Sequence, residues 1–534
     1  MNEFVGASLL KDDQFLDQLQ KRLIGKAQGD TINQSTGLLW YDLRPVVQLL
    51  YPYKELIPLI SKLPRTPADG GSSFHWKRIT AINTNNTSAG VSEGNRGARI
   101  ALTVQNQQAT YKTLGLESSV TFEARLGSKN LTPEALGNAV QSTLRATMIQ
   151  EEQTLILGNA SVPLGVTPTP VLQAGGTNGS IPAGSVSVVC VALSGFAWQN
   201  YTPWNRAAPT TTGLQGQITK TNADGSVDTF GGGTAAPSPE LSVTVTAGQV
   251  ITASLPSLVP GAVAYAWFVG AAGAETLATI TTGGEITITQ LPPQGAQPID
   301  SLMTGGVYQD NSTNNLLPDG ILAQIFGSVF GFAPANMQTG GGTLPSKNIV
   351  FTSGGALVYQ MPLGNTGLTI NGTNVEEFDA IFEAAYNVYK IGFDRILMSA
   401  NDLANFSGTM FAGAASNTFR IMFDADQTTG RIVAGRRVTS YLNKFFGNTL
   451  DIEIHPYMPP GTILFWSDRT PYELSGAPNI LEARVRQDYY QIQWPLNTRR
   501  YEYGVYVDEV FACYYTPAFA AITGINPPTG VPVF

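Results

Sequence analysis

The sequence predicts an α+β fold into which a β-sandwich is inserted. Residues 131–158 read as one long amphipathic helix, and residues 503–511 alternate as the side chains of a strand do. Residues 161–297 differ from both neighbouring parts, because Gly, Thr, Pro and Ala dominate there and charge almost vanishes. Short strand-like runs recur in that segment between turn residues, which is typical of a β-sandwich. The 534 residues suffice for several domains with cores of their own.

The composition favours a protein whose surface is covered by other chains. Asp, Glu, Lys and Arg make up 13% of the residues, against ~25% in ordinary soluble proteins. Charged residues are depleted at the cores of interfaces. The alternative is a neutral surface rich in Thr, Asn, Gln and Ser. The net charge of −8 argues against a domain that binds nucleic acid through many phosphate contacts.

The cysteines and the N-terminus indicate the compartment. Cys190 and Cys513 lie far apart and without zinc-site spacing, so we expect buried thiols in a reducing compartment. The first residues have neither the basic start nor the apolar stretch of a signal peptide. The uncharged span 241–274 is interrupted by Thr, Ser, Gly and Pro, unlike a membrane helix. We therefore expect a soluble chain, made in a cytoplasm and without a membrane partner.

The first 130 residues contain two segments that cannot bury themselves. Residues 1–71 begin with a short amphipathic helix, after which repeated prolines force an extended arm. Residues 72–126 read as a long β-excursion with a polar, glycine-punctuated tip. A free hairpin of this length is marginal in water. Both segments predict a covering surface, on the same chain or on a neighbour.

The helix at 131–158 has clear start and stop signals. Thr132 suits the N-cap and Pro133 the first helical position, while Gly158 ends the pattern. At ~1.5 Å per residue the helix is about 40 Å long. Its predicted apolar stripe consists of Leu136, Val140, Leu144, Met148 and Leu155.

Short segments in a fixed order carry a resemblance. After the arm, the β-excursion and a Thr-Pro-Glu helix ending in EEQTLILGN come PDGI, FDRILMSANDLANF, RRVTSYLNKFFGN, PYMPPGTILFW and a closing YEYGVYVDEVFACYYTPAFAAITGI. This order resembles the major capsid proteins of tailed bacteriophages, which have the Hong Kong 97 fold. The inserted segment resembles an immunoglobulin or fibronectin type III module, and some members of the family carry such insertions on the outer shell surface.

The resemblance implies a domain layout. It consists of an N-terminal arm (1–71), an E-loop (72–115), a peripheral domain with its spine helix (116–160), the inserted immunoglobulin-like sandwich (161–297), an axial domain with peripheral segments (298–490) and C-terminal peripheral strands (491–534). In that family the arm and the E-loop lie across neighbouring subunits, which would account for the two segments that cannot bury themselves.

The resemblance also implies a function. The chain would be a structural protein without enzymatic activity or cofactor that self-assembles, through pentamers and hexamers, into an icosahedral head shell. The shell would enclose double-stranded DNA without sequence-specific binding, with scaffold, portal and decoration proteins as further partners. Assembly would take place in the host cytoplasm, and the product would be part of the virion.

Two other classes of protein compete with this interpretation. A bacterial or phage surface adhesion protein would also carry a sandwich module, but the missing signal peptide and the order of elements count against it. A tail-associated carbohydrate hydrolase would show repeated β-helix rungs and clustered acids, neither of which is present in the sequence.

Candidate subunit-contact residues lie in or beside the excursion. They are Lys77, Glu93, Arg96, Arg99 and Lys112. The three charges near the tip suit ion pairs between subunits, although a merely solvated tip explains them nearly as well, and exposed pairs contribute only ~0–1 kcal/mol. Some members of the family join subunits by a Lys–Asn isopeptide bond, for which the two lysines are conceivable donors.

Competing chemistry finds little support in the sequence. The two histidines, His75 and His455, lie outside any nucleophile or zinc motif and are interpreted as structural. The adjacent acid pairs Asp12–Asp13, Glu151–Glu152 and Glu376–Glu377 point in diverging directions on predicted helices, so we expect solvated or interface charge. The DADQTTGRI segment (424–432) lacks the glycine of a calcium loop and is read as a turn. No catalytic or metal-binding residue is predicted.

Overall fold

The computed structural model describes most of the chain from Tyr51 to Ile525. The described residues are 51–83, 85–129, 134–200, 213–327, 348–363, 367–371, 374–413, 437–468, 479–496 and 498–525. The N-cap Thr132, the first acid pair and the DADQTTGRI segment therefore lie outside the described residues, as does most of the predicted arm.

The N-terminal part contains a hairpin, a further long strand and a long helix. After a 3-10 helix at Tyr53–Leu56, the elements are β1 (Arg65–Pro67), β2 (Ser73–Ile82), β3 (Leu102–Thr110), β4 (Lys112–Thr121), α1 (Phe122–Gly127) and α2 (Ala135–Leu157). The predicted long helix is thus present, with 23 residues in α2.

The predicted apolar stripe of α2 is only in part its buried face, since Leu155 is buried and Met148 packs against the core. Leu136 and Val140 are only half-buried, whereas Thr143 and Thr147 are buried. Each of these threonines donates its hydroxyl to the carbonyl four residues earlier, so its polar atom is satisfied within the helix. From Ile149 onward the helix is buried nearly all round, and no stripe exists there.

The inserted segment forms a two-sheet sandwich. Its elements are β5 (Val171–Gly175), β6 (Gly184–Leu193), α3 (Gly195–Asn200), β7 (Gln217–Thr221), β8 (Val227–Gly231), β9 (Leu241–Val245), β10 (Val250–Ser254), β11 (Ala264–Ala271), β12 (Ala274–Thr281) and β13 (Glu285–Ile288). One sheet has the order β13-β10-β5 and the other β12-β11-β6-β9, while β7 and β8 form a separate hairpin. Both sheets contribute to one buried core around Trp267, Tyr265 and Ile251.

Trp267 is the largest side chain of this core, and its removal should destabilise the sandwich strongly. The ring is fully buried and its Nε1 donates to Thr281 Oγ1 at 2.8 Å. We expect Trp267→Ala to lower the free energy of unfolding by about 3–5 kcal/mol. Denaturant unfolding followed by circular dichroism measures the change. Val227→Ala, at a valine that is 57% exposed, is the control and should change the free energy by less than about 0.5 kcal/mol. Equal losses for the two variants would contradict a packed sandwich core.

The C-terminal part supplies the remaining elements. Two 3-10 helices lie at Ile299–Leu302 and Thr516–Ala518. The other elements are α4 (Ile321–Phe326), β14 (Ile349–Phe351), β15 (Leu357–Gln360), β16 (Ile370–Asn371), β17 (Asn374–Val375), α5 (Glu376–Tyr389), β18 (Arg395–Met398), α6 (Ala400–Gly413), β19 (Ser440–Leu442), β20 (Thr449–Ile454), β21 (Ile463–Trp466), β22 (Leu481–Gln493), β23 (Arg500–Cys513) and β24 (Phe519–Thr523). The predicted alternating strand at 503–511 lies within β23.

Two sheets organise the chain outside the insertion. A four-stranded sheet has the order β1-β22-β23-β4 and therefore joins the beginning of the described chain to its end. Helix α2 packs against β4 and β23 of this sheet. A seven-stranded sheet has the order β14-β15-β24-β21-β18-β20-β19, and α5 packs on it through Phe378 and Phe382, whose rings meet Phe465 edge-on. The predicted α+β class is confirmed.

Two strands bear on the predicted domain bounds. The predicted E-loop (72–115) includes the first residues of β4, which pairs with β23 from Lys112 onward. The predicted C-terminal segment (491–534) contains β24, which lies inside the seven-stranded sheet, between β15 and β21. All five residues of β24 are buried, so the strand needs cover on both faces, and a central position supplies it. No helix within the described residues is long and apolar enough to cross a membrane.

Candidate functional site

The β2–β3 hairpin has one face on its own chain and one face exposed. The two strands pair antiparallel from Ser73↔Thr110 to Ile82↔Leu102. Because successive side chains of a strand point to opposite faces, the half-buried Phe74, Trp76 and Arg78 share the inner face. The outer face, on which Ile79 pairs with Val104, is open to solvent.

The part of the outer face next to the tip, together with Ile100, carries exposed apolar side chains. The residues that carry this character are Ile79 (59% exposed), Ile82 (64%), Ile100 (58%), Leu102 (53%) and Val104 (53%). Singly exposed apolar residues are normal, but a contiguous group marks an interaction site. We call these five residues the hairpin patch.

An aromatic cluster fixes the base of the hairpin. Phe74 and Trp76 stack with ring centroids 5.0 Å apart, and Tyr514, just after β23, meets the Trp76 ring edge-on at 5.7 Å. The guanidinium of Arg484 lies 4.5 Å above the Phe74 ring, a favourable cation–π position. These contacts join the base of the hairpin to β22 and to the end of β23.

Four of the predicted contact residues lie on the hairpin and all are exposed. Lys77 is on the outer face of β2, opposite Asn106 of β3. Glu93, Arg96 and Arg99 lie on the tip. Within the described part of the chain these four residues form no ion pair, so their charges face outward.

Lys112, the fifth predicted residue, does not lie on the hairpin. It belongs to β4, where it pairs with Glu509 of β23. Its Nζ donates to the backbone oxygen of Asn315 at 2.6 Å. The side chain is half-buried, and its observed contact is within its own chain.

The segment before β1 is tied to α2 by a buried carboxylate. Residues 57–63 place Ile57, Leu59, Ile60 and Leu63 in the core. The backbone N–H groups of Leu59 and Ile60 donate to the two oxygens of Glu152, at 2.9 Å and 2.6 Å. We call residues 57–67 the arm base.

The same carboxylate holds His455. Its Nε2 lies 2.7 Å from Glu152 Oε1, and the backbone N–H of Tyr457 donates to its Nδ1 at 3.3 Å. Since Nδ1 is thus the acceptor, Nε2 carries the hydrogen and donates it. Both side chains are fully buried, so this contact joins α2 to the segment that follows β20. His75 is exposed, with its ring beside Ser73 Oγ at 2.8 Å.

Glu151 lies on another side of α2 and forms a second buried cluster. Arg65 of β1 donates from Nη1 to Glu151 at 2.6 Å and lies 3.4 Å from Glu509 through Nη2. Its Nε contacts Asp488 at 3.1 Å, and the hydroxyl of Tyr489 donates to Glu151. Both glutamates are 0% exposed, whereas Asp488 is 54% exposed. Arg65, Glu151, Glu509, Asp488 and Tyr489 form what we call the Arg65 cluster.

The expectation that the acid pairs are solvated or interface charge is therefore wrong for three of their members. Glu151 and Glu152 are buried because α2 lies between the four-stranded sheet and the arm base, and each carboxylate finds donors there. Glu377 is buried as well and accepts the backbone N–H of Thr369 at 3.0 Å. Glu151 and Glu152 do diverge, but both directions lead to protein, whereas Glu376 is exposed.

One sequence signal pointed to this cluster. In the alternation at 503–511, Glu509 shares a face with Tyr503, Val505, Val507 and Phe511. All five of these residues are buried. An acid in register with core residues requires a buried cation or a proton, and Arg65 is the cation.

Burial sets the charge of these carboxyls. Loss of hydration raises the pKa of Glu509 well above its ordinary value, and Glu151 adds to this effect. Burial also raises the pKa of Glu151, although Arg65 opposes this effect.

Among the described residues, no group of three or more His, Cys, Asp or Glu side chains has the arrangement of a metal site.

Comparisons with known proteins give matches among solved structures alone. No family model and no curated protein matches the chain. A chain of the capsid of a native GTA particle is similar over 93% of this chain and 100% of its own, with 9% identity and a TM-score of 0.39. A chain of the cyanophage A-1(L) capsid is similar over 92% and 98%, with 9% identity and a TM-score of 0.39. The SrpI encapsulin of Synechococcus elongatus PCC 7942 is similar over 93% and 96%, with 8% identity and a TM-score of 0.37.

Proposed function

We propose that the chain is a major capsid protein that self-assembles into the icosahedral head shell of a tailed phage. The observation that carries the proposal is the hairpin patch. A two-stranded hairpin is marginally stable alone, yet this one extends ten residues along β2 and leaves five large apolar residues exposed. Such a face is completed when it lies on another copy of the chain.

The surrounding structure supports a fixed, repeatable contact. The aromatic base holds the hairpin on the four-stranded sheet, and the arm base is bound to α2 by hydrogen bonds to Glu152. Subunits of a closed shell need such rigid extensions, because every copy must meet its neighbours in nearly the same geometry. The low share of charged residues agrees with a surface that neighbours cover.

The proposal assigns a domain layout to the observed elements. In this layout the β2–β3 hairpin is the E-loop, the four-stranded sheet with α2 is the peripheral domain, and the seven-stranded sheet is the axial domain. The sandwich between α2 and the C-terminal part is an immunoglobulin-like insertion on the outer surface. Pentamers and hexamers would be the assembly units, with scaffold, portal and decoration proteins as partners. No enzymatic role is assigned.

The enclosed cargo is double-stranded DNA held without sequence-specific contacts. Because the chain has a net charge of −8, a shell wall built from it would not bind phosphates strongly. The genome could therefore slide along the wall during packaging and release. Glu93, Arg96 and Arg99 of the hairpin tip are the proposed partners for ion pairs on neighbouring subunits.

The proposal is tested by producing the full chain alone and together with the protein encoded by any neighbouring scaffold gene. Sedimentation and negative-stain microscopy should show closed shells or rings of five and six subunits, and particles from infected cells should protect double-stranded DNA from nuclease. A stable monomer under both conditions would refute the capsid function and favour the surface adhesion protein. Shells that never contain DNA would refute the genome-enclosing role.

A further inference from the structure

The Arg65 cluster contains more negative than positive charge. Two fully buried carboxylates and the half-exposed Asp488 face one guanidinium. Glu509 Oε1 is buried and finds no hydrogen-bond donor within the described residues. A buried carboxylate oxygen without a donor is costly, whereas a proton on that oxygen turns it into a donor toward the neighbouring carboxylate.

We infer that Glu151 and Glu509 hold one proton between them, and that loss of this proton with rising pH separates α2 from the four-stranded sheet. Glu151 belongs to α2 and Glu509 to β23, so two like charges would then face each other across that contact. The inference concerns the chain itself and stands whether or not the chain forms a shell.

The groups around the two carboxyls come from every element that packs there. They are Glu151 on α2, Arg65 on β1, Asp488 and Tyr489 on β22, Glu509 on β23 and its cross-strand neighbour Lys112 on β4. Arg65 is the cation in contact with both glutamates, whereas Lys112 donates to Asn315. Glu152 and His455 bind each other on another side of α2.

The direction of the pH effect follows from the raised pKa values of both carboxyls. The folded chain keeps a proton that the unfolded chain releases near its ordinary glutamate pKa of about 4.3. The stabilisation is therefore complete at acidic pH and is lost as pH rises through the folded-state pKa. Between the two pKa values each pH unit weakens the contact by up to about tenfold, and the effect levels off above the folded-state pKa.

Hydrogen exchange of the full chain, compared with Glu509→Gln, tests the inference. Glutamine keeps the shape and supplies a permanent donor, so the variant needs no proton. Exchange at residues 149–157 and 505–511 should be equal in both chains at acidic pH. Between the ordinary glutamate pKa and the folded-state pKa of the pair, the unchanged chain should lose protection relative to the variant by up to about tenfold per pH unit, and the ratio should level off above that range. A ratio that does not vary with pH overturns the inference.

Two further variants keep the test decisive. Glu151→Gln removes the other carboxyl and should abolish the same pH dependence, which provides the result even if Glu509→Gln fails to fold. Glu117→Gln changes an exposed glutamate that binds Tyr506 on β23 and should leave the dependence intact. Burial also raises the pKa of Asp402 to about 6, and comparing variants at each pH cancels that contribution. A pH dependence that persists in both glutamine variants contradicts the shared proton.

Discussion

Replacing Ile79 and Val104 with aspartate should abolish particle assembly and leave the chain folded. The two side chains face each other across the hairpin and are more than half exposed. If a neighbouring copy covers them, each contributes roughly 1.5–3 kcal/mol to the contact. The loss recurs in every copy, and even ~3 kcal/mol per contact corresponds to about a hundredfold in an association constant. Sedimentation should show a monomer or a small oligomer in place of shells.

The folded state is checked separately. Because both positions are exposed, the free energy of unfolding of the double variant should fall by no more than about 1 kcal/mol. Val227→Asp is the matched control, since it places the same charge at an exposed valine of the β7–β8 hairpin. Normal shells from the double variant would refute the role of the hairpin patch. If Val227→Asp prevented assembly and the double variant did not, the contact between subunits would lie on the insertion instead.

Arg65→Ala should produce a large loss of stability. The change leaves Glu151 and Glu509 buried without their cation and removes the ion-pair link between β1 and α2. Breaking a buried pair in this way costs about 3–5 kcal/mol. Denaturant unfolding measures the loss, and limited proteolysis should cut the arm base sooner than in the unchanged chain.

The matched control is Arg499→Ala, which breaks an exposed pair with Glu123. Arg499 and Glu123 are 79% and 60% exposed, so the expected loss is about 0–1 kcal/mol. Adding Glu509→Gln to Arg65→Ala should restore part of the stability, because a buried glutamine needs neither a cation nor a proton. If Arg65→Ala and Arg499→Ala lowered the free energy of unfolding equally, the charge balance derived for the cluster would be contradicted. The same holds if the effects of Arg65→Ala and Glu509→Gln were strictly additive in the double variant.

Much of the fold could be predicted from local patterns. The alternation at 503–511 identified β23, and the excursion at 72–126 became the β2–β3 hairpin with β4. The turn-rich, charge-poor composition of 161–297 predicted two packed sheets. These features depend on residues that are close in sequence, and hydrophobic periodicity and turn residues reveal such local structure directly.

The buried charges could not be predicted in the same way. Arg65 and Glu151 are 86 positions apart, and His455 lies 303 positions from Glu152. Spacing within α2 shows that its glutamates diverge, but not what they meet. The place of β24 likewise depends on which sheet offers two covered faces, and that is decided by packing between distant segments.

The account is tested most directly by a reconstruction of the assembled particle by electron cryomicroscopy. It predicts that the outer face of every β2–β3 hairpin lies on another copy, with apolar atoms of that copy within about 4 Å of Ile79 and Val104. A particle in which this face is turned to solvent, or folded back on its own chain, would contradict the account.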